Sequence, residues 1–582
     1  MSAPARTYGT AGGGDALAQG AGASGPEVPA SLGRAALSGL VAAAVALGAG
    51  ELLIGLVGTD DPSLVYAVAT EFIDLFGASL KDLAVDLFGT NHKLALIVGI
   101  VVVSLLLGAA FGALARRRFG FGAAGFVVFG AVGFWAYRVD ELGDDAVGLL
   151  AALTAVGAGV GSLWWLLRAA ARATAASLAM RDAAFAPPVS DTARHRPLDG
   201  VVDDGVWSEA DGRLLPAPVS SMELGAMARR AFLGTVAALG AGAAAMALVG
   251  RRIVGRGASE KARADVVLPS PRSTAPVVGE TVDLADLSPY ITPNDGFYRI
   301  DTAVSIPQTD LDSWRLRVDG LVDRPFELTH AELLAMPSIE QTVTIACVSN
   351  PVGGRLVGNA VWQGVALADL LERAGVQAVA QGAEGQVVGR SLDGWTAGFP
   401  MDVATDGRVA MVAYAMNGEP LPVDHGFPAR LIVAGLYGYV SATKWLSQIE
   451  VARWDDFDGY WVPRGWAKEG PVKTMARIDV PSSGADLASG TIPVAGVAWA
   501  PTRGISAVEV RIDDGEWNLC DLGDVASENT WVQWTYEWAA DPGDHVIAVR
   551  ATDGDGVVQT SEVAHPAPDG ASGWHGRRVS VV

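Results

Sequence analysis

The sequence predicts a multi-domain protein: N-terminal transmembrane helices, then a mixed α+β domain, then a β-sandwich. Five apolar stretches of roughly 20 residues, enough to cross a hydrocarbon core, lie within the first 250 residues. From about residue 280, short apolar strands bounded by Gly and Pro alternate with short capped helices. Beyond about Pro471, strands recur every ten or so residues with Asp-Gly and Pro-Gly turns between them.

Composition sets the outer limits. The chain has 582 residues, of which 50% are hydrophobic, and a mean hydropathy of +0.30, high for a soluble protein. The net charge of -22 excludes a nucleic-acid partner, because no basic stripe exists to neutralise phosphates.

Residues 1–34, rich in Gly, Ala and Ser, cannot build a core and read as a disordered tail. Residues 35–168 read as a four-helix transmembrane unit with spans at 35–58, 94–115, 119–139 and 146–167. Small residues such as Gly122, Gly125, Gly130, Gly133, Gly157, Gly159 and Gly161 suit close helix packing in lipid, the membrane partner. Arg6 and Arg34, Arg116 to Arg118, and Arg168, Arg172 and Arg181 flank one side of these spans. The opposite loops are acidic: Asp60, Asp61, Glu71, Asp74, Asp82 and Asp86 in one, Asp140, Glu141, Asp144 and Asp145 in the other. The positive-inside rule therefore puts both ends of this unit in the cytoplasm.

A connector, 169–228, begins as a helical extension of the fourth span and continues as a loop. A fifth helix, 229–252, opens on Arg229 and Arg230, and Met227-Ala-Arg-Arg-Ala-Phe-Leu-Gly234 resembles a twin-arginine export signal. The competing reading is that the Arg pair only marks topology. Arg251, Arg252 and Arg256 on the far side run against the ordinary charge rule and favour export of a folded domain. The catalytic domain is thus expected outside a multi-pass cell-membrane anchor, joined by a Ser/Pro/Ala linker over 253–278.

In the mixed domain, 279–470, Trp314-Arg-Leu-Arg-Val318 alternates as a half-buried strand, 329–336 and 367–374 read as short helices, and 409–414 and 429–434 as strands. In the last domain, 471–582, strands are expected at 491–499, 507–512, 530–538 and 545–551. Trp499, Trp517, Trp531, Trp534 and Trp538 there read as core and interface residues.

The chemistry centres on Gln341-Thr-Val-Thr-Ile-Ala-Cys-Val-Ser-Asn350, a β-branched strand that delivers Cys347 to a loop with Gly353 and Gly354. Such a strand presents one thiolate to a large cofactor that must approach the backbone. Cys520 reads as a buried structural thiol, and a Cys347–Cys520 disulfide is the alternative, since an exported domain sits in oxidising surroundings.

Three segments resemble the sulfite-oxidase family of molybdopterin oxidoreductases: Tyr290-Ile-Thr-Pro-Asn-Asp-Gly-Phe-Tyr-Arg299, the Cys347 loop through Trp362-Gln-Gly364, and Tyr414-Ala-Met-Asn-Gly-Glu-Pro-Leu-Pro-Val-Asp-His-Gly-Phe-Pro-Ala-Arg430 continuing to Lys444-Trp-Leu446. The resemblance implies an α+β molybdopterin-binding domain followed by an immunoglobulin-like domain that often mediates dimerisation, hence a homodimer. It implies a molybdenum–molybdopterin cofactor with Cys347 as the metal ligand and Asn350, His425, Arg430 and Lys444 around the pterin, Lys444 being offset by one position. Arg299 matches an arginine near the metal, and Trp395 falls where the family has its active-site tyrosine.

Two departures bear on substrate. Val348-Ser-Asn-Pro-Val352 stands where animal and plant sulfite oxidases read Ala-Gly-Asn-Arg-Arg, and Trp395 offers an N–H but no acidic hydroxyl. Arg355, Arg464 and Lys468 are the cations available to restore charge. The expected activity is oxygen-atom transfer on a small oxyanion such as sulfite. The alternatives are reduction of sulfoxides or other oxides with membrane electrons, and a non-catalytic membrane assembly protein. No haem is expected, because Cys-x-x-Cys-His is absent and the only histidine near a span is His92, so the electron partner is unidentified.

Overall fold

The computed structural model describes residues 28–57, 63–73, 92–140, 144–185, 221–254, 258–304 and 306–582. Most of the expected tail, the loop part of the connector, and Asp60, Asp61, Asp74, Asp82, Asp86 and Glu141 lie outside the described residues. The chain divides into two compact units: Met1–Ala49, Val101–Gly130 and Thr154–Met246 form one, and Gly50–Ile100, Ala131–Leu153 and Ala247–Val582 the other.

The N-terminal region is helical: α1 Leu32–Val57, α2 Leu64–Ile73, α3 His92–Ala115, α4 Phe119–Val139, α5 Asp145–Phe185 and α6 Ser221–Val254. All but α2 are long and apolar enough to cross a membrane. Leu106, Val128, Leu153, Trp165 and Leu248 stand exposed on them, an arrangement that lipid stabilises and water does not. Among the described glycines of these helices the closest approach is at Gly39, where a Cβ would sit 2.0 Å from the Gly108 carbonyl oxygen. A Cβ at Gly133, Gly157 or Gly161, expected to pack, would meet nothing within 4 Å beyond its own helix backbone.

Two helices differ from expectation. The acidic segment after the first span contains α2, whose first turn is capped by Ser63 Oγ accepting from the Tyr66 N–H at 3.1 Å. At ten residues it is too short to register as a span. Helix α6 starts at Ser221, so Arg229 and Arg230 lie inside it and not at its first turn, both exposed.

The expected linker is partly structured. Helix α7, Ala258–Ala264, is tied down by Arg263, which donates to Glu419 Oε2 at 2.8 Å and to the Pro420 carbonyl at 2.9 Å. The chain then runs along the next domain, Arg272 N–H donating to the Ser338 carbonyl and Glu340 N–H to that of Ser273. It reaches the sandwich at Gln533, whose side-chain oxygen accepts from Val282 N–H at 3.0 Å.

The α+β domain holds two five-stranded sheets. In chain order its strands are β1 Arg315–Gly320, β2 Phe326–Thr329, β3 Ser338–Ala346, β4 Val357–Ala366, β5 Gly385–Ser391, β6 Thr396–Pro400, β7 Ala410–Met416, β8 Glu419–Pro420, β9 Arg430–Val433 and β10 Leu446–Arg453. One sheet runs β2-β1-β10-β5-β6; the other runs β3-β4-β7-β8, with β9 paired to β7. Helix α8, His330–Ala335, opens with a reciprocal capping box: Thr329 accepts from Glu332 N–H and Glu332 Oε2 accepts from Thr329 N–H. Helix α9, Leu367–Ala374, ends at Gly375 with φ +70°, a left-handed cap that favours glycine. The domain core gathers Leu316, Val318, Leu333, Leu367, Leu370 and Leu431, all fully buried.

The sandwich is built from β11 Met475–Val480, β12 Asp486–Leu487, β13 Gly490–Trp499, β14 Ile505–Ile512, β15 Trp517–Leu519, β16 Asp521–Leu522, β17 Val532–Ala540, β18 Gly543–Asp553 and β19 His575–Val581. One sheet runs β11-β13-β17-β16 and the other β12-β19-β18-β14-β15. The four expected strands are β13, β14, β17 and β18. The remainder are short or lack alternation. Trp499, Trp531, Trp534 and Trp538 are buried, whereas Trp517 is half-buried and packs edge-on against Trp574 at 4.9 Å. Trp499 and Trp531 belong to the α+β domain's core, so the two domains share apolar packing.

The capping box gives a stability test. Thr329→Ala removes the side-chain acceptor for Glu332 N–H and is expected to cost about 1 kcal/mol in denaturant unfolding followed by tryptophan fluorescence. A cost indistinguishable from zero would mean that the strand contacts of Thr329 alone hold the helix start.

Candidate active site

The three chain segments singled out by motif converge. Asn417, at φ +54° in the turn between β7 and β8, donates from its amide to the Thr292 carbonyl at 2.9 Å and to Asn294 Oδ1 at 2.8 Å. His425 Nε2 lies 3.0 Å from the Asn294 carbonyl, and Asn359 on β4 donates to the Tyr290 carbonyl at 2.9 Å. The irregular 290–304 segment is thereby pinned across the second sheet, beside the Cys347 strand.

Cys347 follows β3 directly and is buried. Its backbone N–H donates to the Leu356 carbonyl at 2.9 Å, closing the loop 348–355. Its Sγ lies 2.9 Å from Ser349 Oγ. Asn350 turns its side chain back into the loop, accepting from Leu356 N–H at 2.9 Å, so it braces the loop's shape. Gly353 has φ +75°, and a Cβ there would lie 2.2 Å from the His575 ring, a position only glycine fills. Cys347 and Cys520 are not joined to each other.

Two buried tyrosines that sequence reasoning missed feel the charge of the thiol. Burial first, then the charge of Cys347, raise the Tyr298 hydroxyl far above its ordinary range, while Arg430 opposes. Tyr437 is pushed up to about 12, mainly by burial, with a smaller contribution from Cys347. Tyr298 sat in plain view next to Arg299, but nothing in its local pattern separates a site tyrosine from a core one.

Arg430, at the start of β9, is buried, and burial pulls its guanidinium down to about 10. It donates to the carbonyls of His425 at 3.0 Å and Ala442 at 3.3 Å, lies over the Trp362 ring at 5.1 Å, and makes no ion pair with a carboxylate of the described residues. His425 is held neutral by burial, at about 4, and its Nδ1 is buried with no hydrogen-bond partner among the described residues. Thr443 Oγ1 is orphaned in the same way. A buried cation answered only by dipoles, with orphaned polar atoms close to it in the chain, is the environment a polar anionic ligand would complete.

Lys444, pulled down to about 8 by burial, donates to Asp301 Oδ2 at 2.9 Å. Arg299 donates to the same carboxylate oxygen at 2.9 Å and pairs with Asp424 at 3.4 Å. Burial alone would raise the Asp301 carboxyl, but Lys444, Lys93 and Arg299 together hold it well below the usual carboxylate range. Trp395 is half-buried on the turn between β5 and β6, where its backbone N–H donates to Asp393 Oδ1 at 3.2 Å. Among the described residues no three His, Cys, Asp or Glu side chains form a metal cage.

Residues 303–461 match the model of the oxidoreductase molybdopterin binding domain. Chicken (Gallus gallus) sulfite oxidase is 31% identical over 322 residues, covering 47% of this chain and 69% of that protein. The chain belongs to the sulfite oxidase family of molybdopterin oxidoreductases. An uncharacterized oxidoreductase of Bacillus subtilis, YuiH, is 38% identical over 161 residues, covering 28% of this chain and 76% of its own. The sulfane dehydrogenase SoxCD of Paracoccus pantotrophus aligns in structure with a TM-score of 0.44 and 22% identity, over 53% of this chain and 88% of that one. The domain implies a molybdenum–molybdopterin cofactor. The residues fit it: a single soft thiol on a glycine loop, a buried guanidinium without a carboxylate, and an orphaned imidazole nitrogen.

The buried imidazoles give a pH test. His330, His425 and His575 are each held at about 4, chiefly by burial, against about 6.5 when unfolded. The unfolded chain then takes up protons that the folded chain refuses. Their contribution is therefore complete above pH 6.5 and is lost as pH falls toward 4. His330→Phe, beside Trp314 and Phe427, is expected to lower proton uptake on unfolding near pH 5 by about one, read from the pH slope of the unfolding free energy.

Proposed function

We propose that this chain is a membrane-anchored molybdenum enzyme that catalyses oxygen-atom transfer on a small oxyanion outside the cytoplasmic membrane. One observation carries the reading: Cys347 ends a buried strand beside a cradle whose buried cation, Arg430, lacks a carboxylate. Cys347 would ligate the molybdenum. Arg430, His425 and Lys444 would hold the pterin and its phosphate, and Asn350 would keep the loop closed over the thiolate. When bound, the cofactor supplies the two-electron exchange of an oxygen atom, and the chain supplies binding, orientation and electrostatics. Tyr298 and Tyr437, both protonated at neutral pH, would offer hydroxyl donors beside the thiolate.

Sulfite is the substrate suggested by the chicken relative. Arg299 is engaged by Asp301 and Asp424, which leaves less of its charge for a substrate. Arg355, exposed on the Cys347 loop with no ion pair among the described residues, is a second candidate for the substrate's cation. A different observation favours a second reading, reduction of a neutral oxide such as a sulfoxide: Pro351 and Val352 carry no fixed charge on the Cys347 loop.

Topology supports the anchor. Lys93, in the first turn of α3, reaches Asp301 of the catalytic domain, so the segment after the first span and the domain after the last share one side of the membrane. An odd number of spans satisfies this, which supports α6 as a fifth crossing. The positive-inside rule then assigns the outer side.

Cys347→Ser should abolish turnover and molybdenum binding while the sandwich stays folded, since Ser is near in size but a poor soft ligand. Full activity would sink the molybdenum reading, and a wild-type protein without metal and pterin would favour a non-catalytic assembly role. Arg355→Met should raise the Michaelis constant for sulfite about tenfold, roughly 1.4 kcal/mol, with little change in turnover number. An enzyme that ignores sulfite and reduces sulfoxides from an artificial donor transfers the assignment to the second reading.

For export, replacing Arg229 and Arg230 by Lys keeps charge but removes the twin-arginine pair. The catalytic domain should then become protected from protease added to intact cells. Unchanged cleavage would leave the pair as topology only.

A further inference from the structure

Lys93 is the one membrane-region side chain whose described contacts run into the pterin cradle's charge network. Its ammonium donates to Asp301 Oδ1, to the Asp301 carbonyl and to the Ala303 carbonyl, each at 2.8 Å, which uses all three of its donors. The other carboxylate oxygen of Asp301 accepts from Lys444 and from Arg299, both at 2.9 Å. Asp301 exposes only 6% of its side chain and Lys444 11%, so solvent screens this network little.

Three cations, Lys93, Arg299 and Lys444, share the one buried carboxylate of Asp301, while the exposed Asp424 pairs with Arg299. If Lys93 were absent, Asp301 would answer Arg299 and Lys444 alone, and the Lys444 ammonium would be neutralised more fully. The carboxylate would also lose its hold on Oδ1 and the segment through Ala303 its tether.

From this geometry we propose that Lys93 is a positioning residue for the cofactor: by fixing Asp301 and sharing its charge it sets where Lys444 stands and how fully that ammonium is neutralised, so the membrane-anchored helix helps retain the pterin. The proposal rests on the molybdopterin reading above. It makes the N-terminal region part of the site's construction and not merely a tether.

The test uses the full chain in detergent, comparing wild type with Lys93→Met and Lys93→Arg. Two readouts are followed: hydrogen exchange over residues 299–304, and release of pterin on dialysis, measured by fluorescence of the oxidised pterin. Lys93→Met should raise exchange at least tenfold and speed pterin release at least fivefold, and Lys93→Arg should restore most of both. Tryptophan fluorescence of the sandwich serves as the folding control. Unchanged exchange in Lys93→Met would overturn the clasp. Faster exchange with unchanged pterin release would overturn the positioning role. If wild type purifies without pterin, the molybdopterin reading fails by itself, and the exchange arm still decides the clasp.

Discussion

The loop that carries Cys347 is clamped from the sandwich side, and the geometry of the site depends on that clamp. Arg477 on β11 donates to the Gly354 carbonyl at 2.8 Å, to Ser288 Oγ at 2.8 Å and to Asp479 Oδ1 at 2.7 Å. His575 on β19 fills the space that a side chain on Gly353 would take, and its Nδ1 accepts from Ile478 N–H at 3.0 Å. A thiol at the mouth of the loop 348–355 would otherwise sample many positions. Charge-assisted bonds from a buried guanidinium are among the stronger ways to hold such a backbone.

The same logic links the two folded domains more widely. Trp531 donates from its ring to the Tyr290 carbonyl at 2.8 Å and from its backbone to Thr344 Oγ1 at 2.7 Å. Tyr290 opens the segment that leads to Tyr298, Arg299 and Asp301, and Thr344 is on the strand that ends at Cys347. The sandwich thus fixes both walls of the site. The chain between α7 and the first strand adds a further strap by pairing along β3 and reaching Gln533.

Electrostatically the site separates two kinds of cation. Arg299 and Lys444 are tied to Asp301, whereas Arg430 is answered by carbonyls and an aromatic face. Burying a guanidinium without an anion is costly, and the cost is offset when a ligand supplies the charge. That asymmetry is what supports the proposed role of Arg430 in ligand binding, and it leaves Arg299 the more fully neutralised of the two.

The sequence by itself determined what depends on local pattern. Span lengths follow from apolar runs, α8 and α9 from the Thr329 capping box and Gly375, and the long sandwich strands from period-two alternation between Gly turns. The placement of Cys347 at the end of a buried strand was legible because a β-branched run, a cysteine and a glycine loop are contiguous. The structured part of the expected linker was not legible, since its hydrogen bonds go to β3 and the sandwich and leave no periodic trace. Tyr298, Tyr437, Asp301 and Lys93 were likewise invisible. Their roles arise from who faces whom across separations such as the 208 residues between Lys93 and Asp301, and only tertiary packing decides which buried charge is paired and which is left for a ligand.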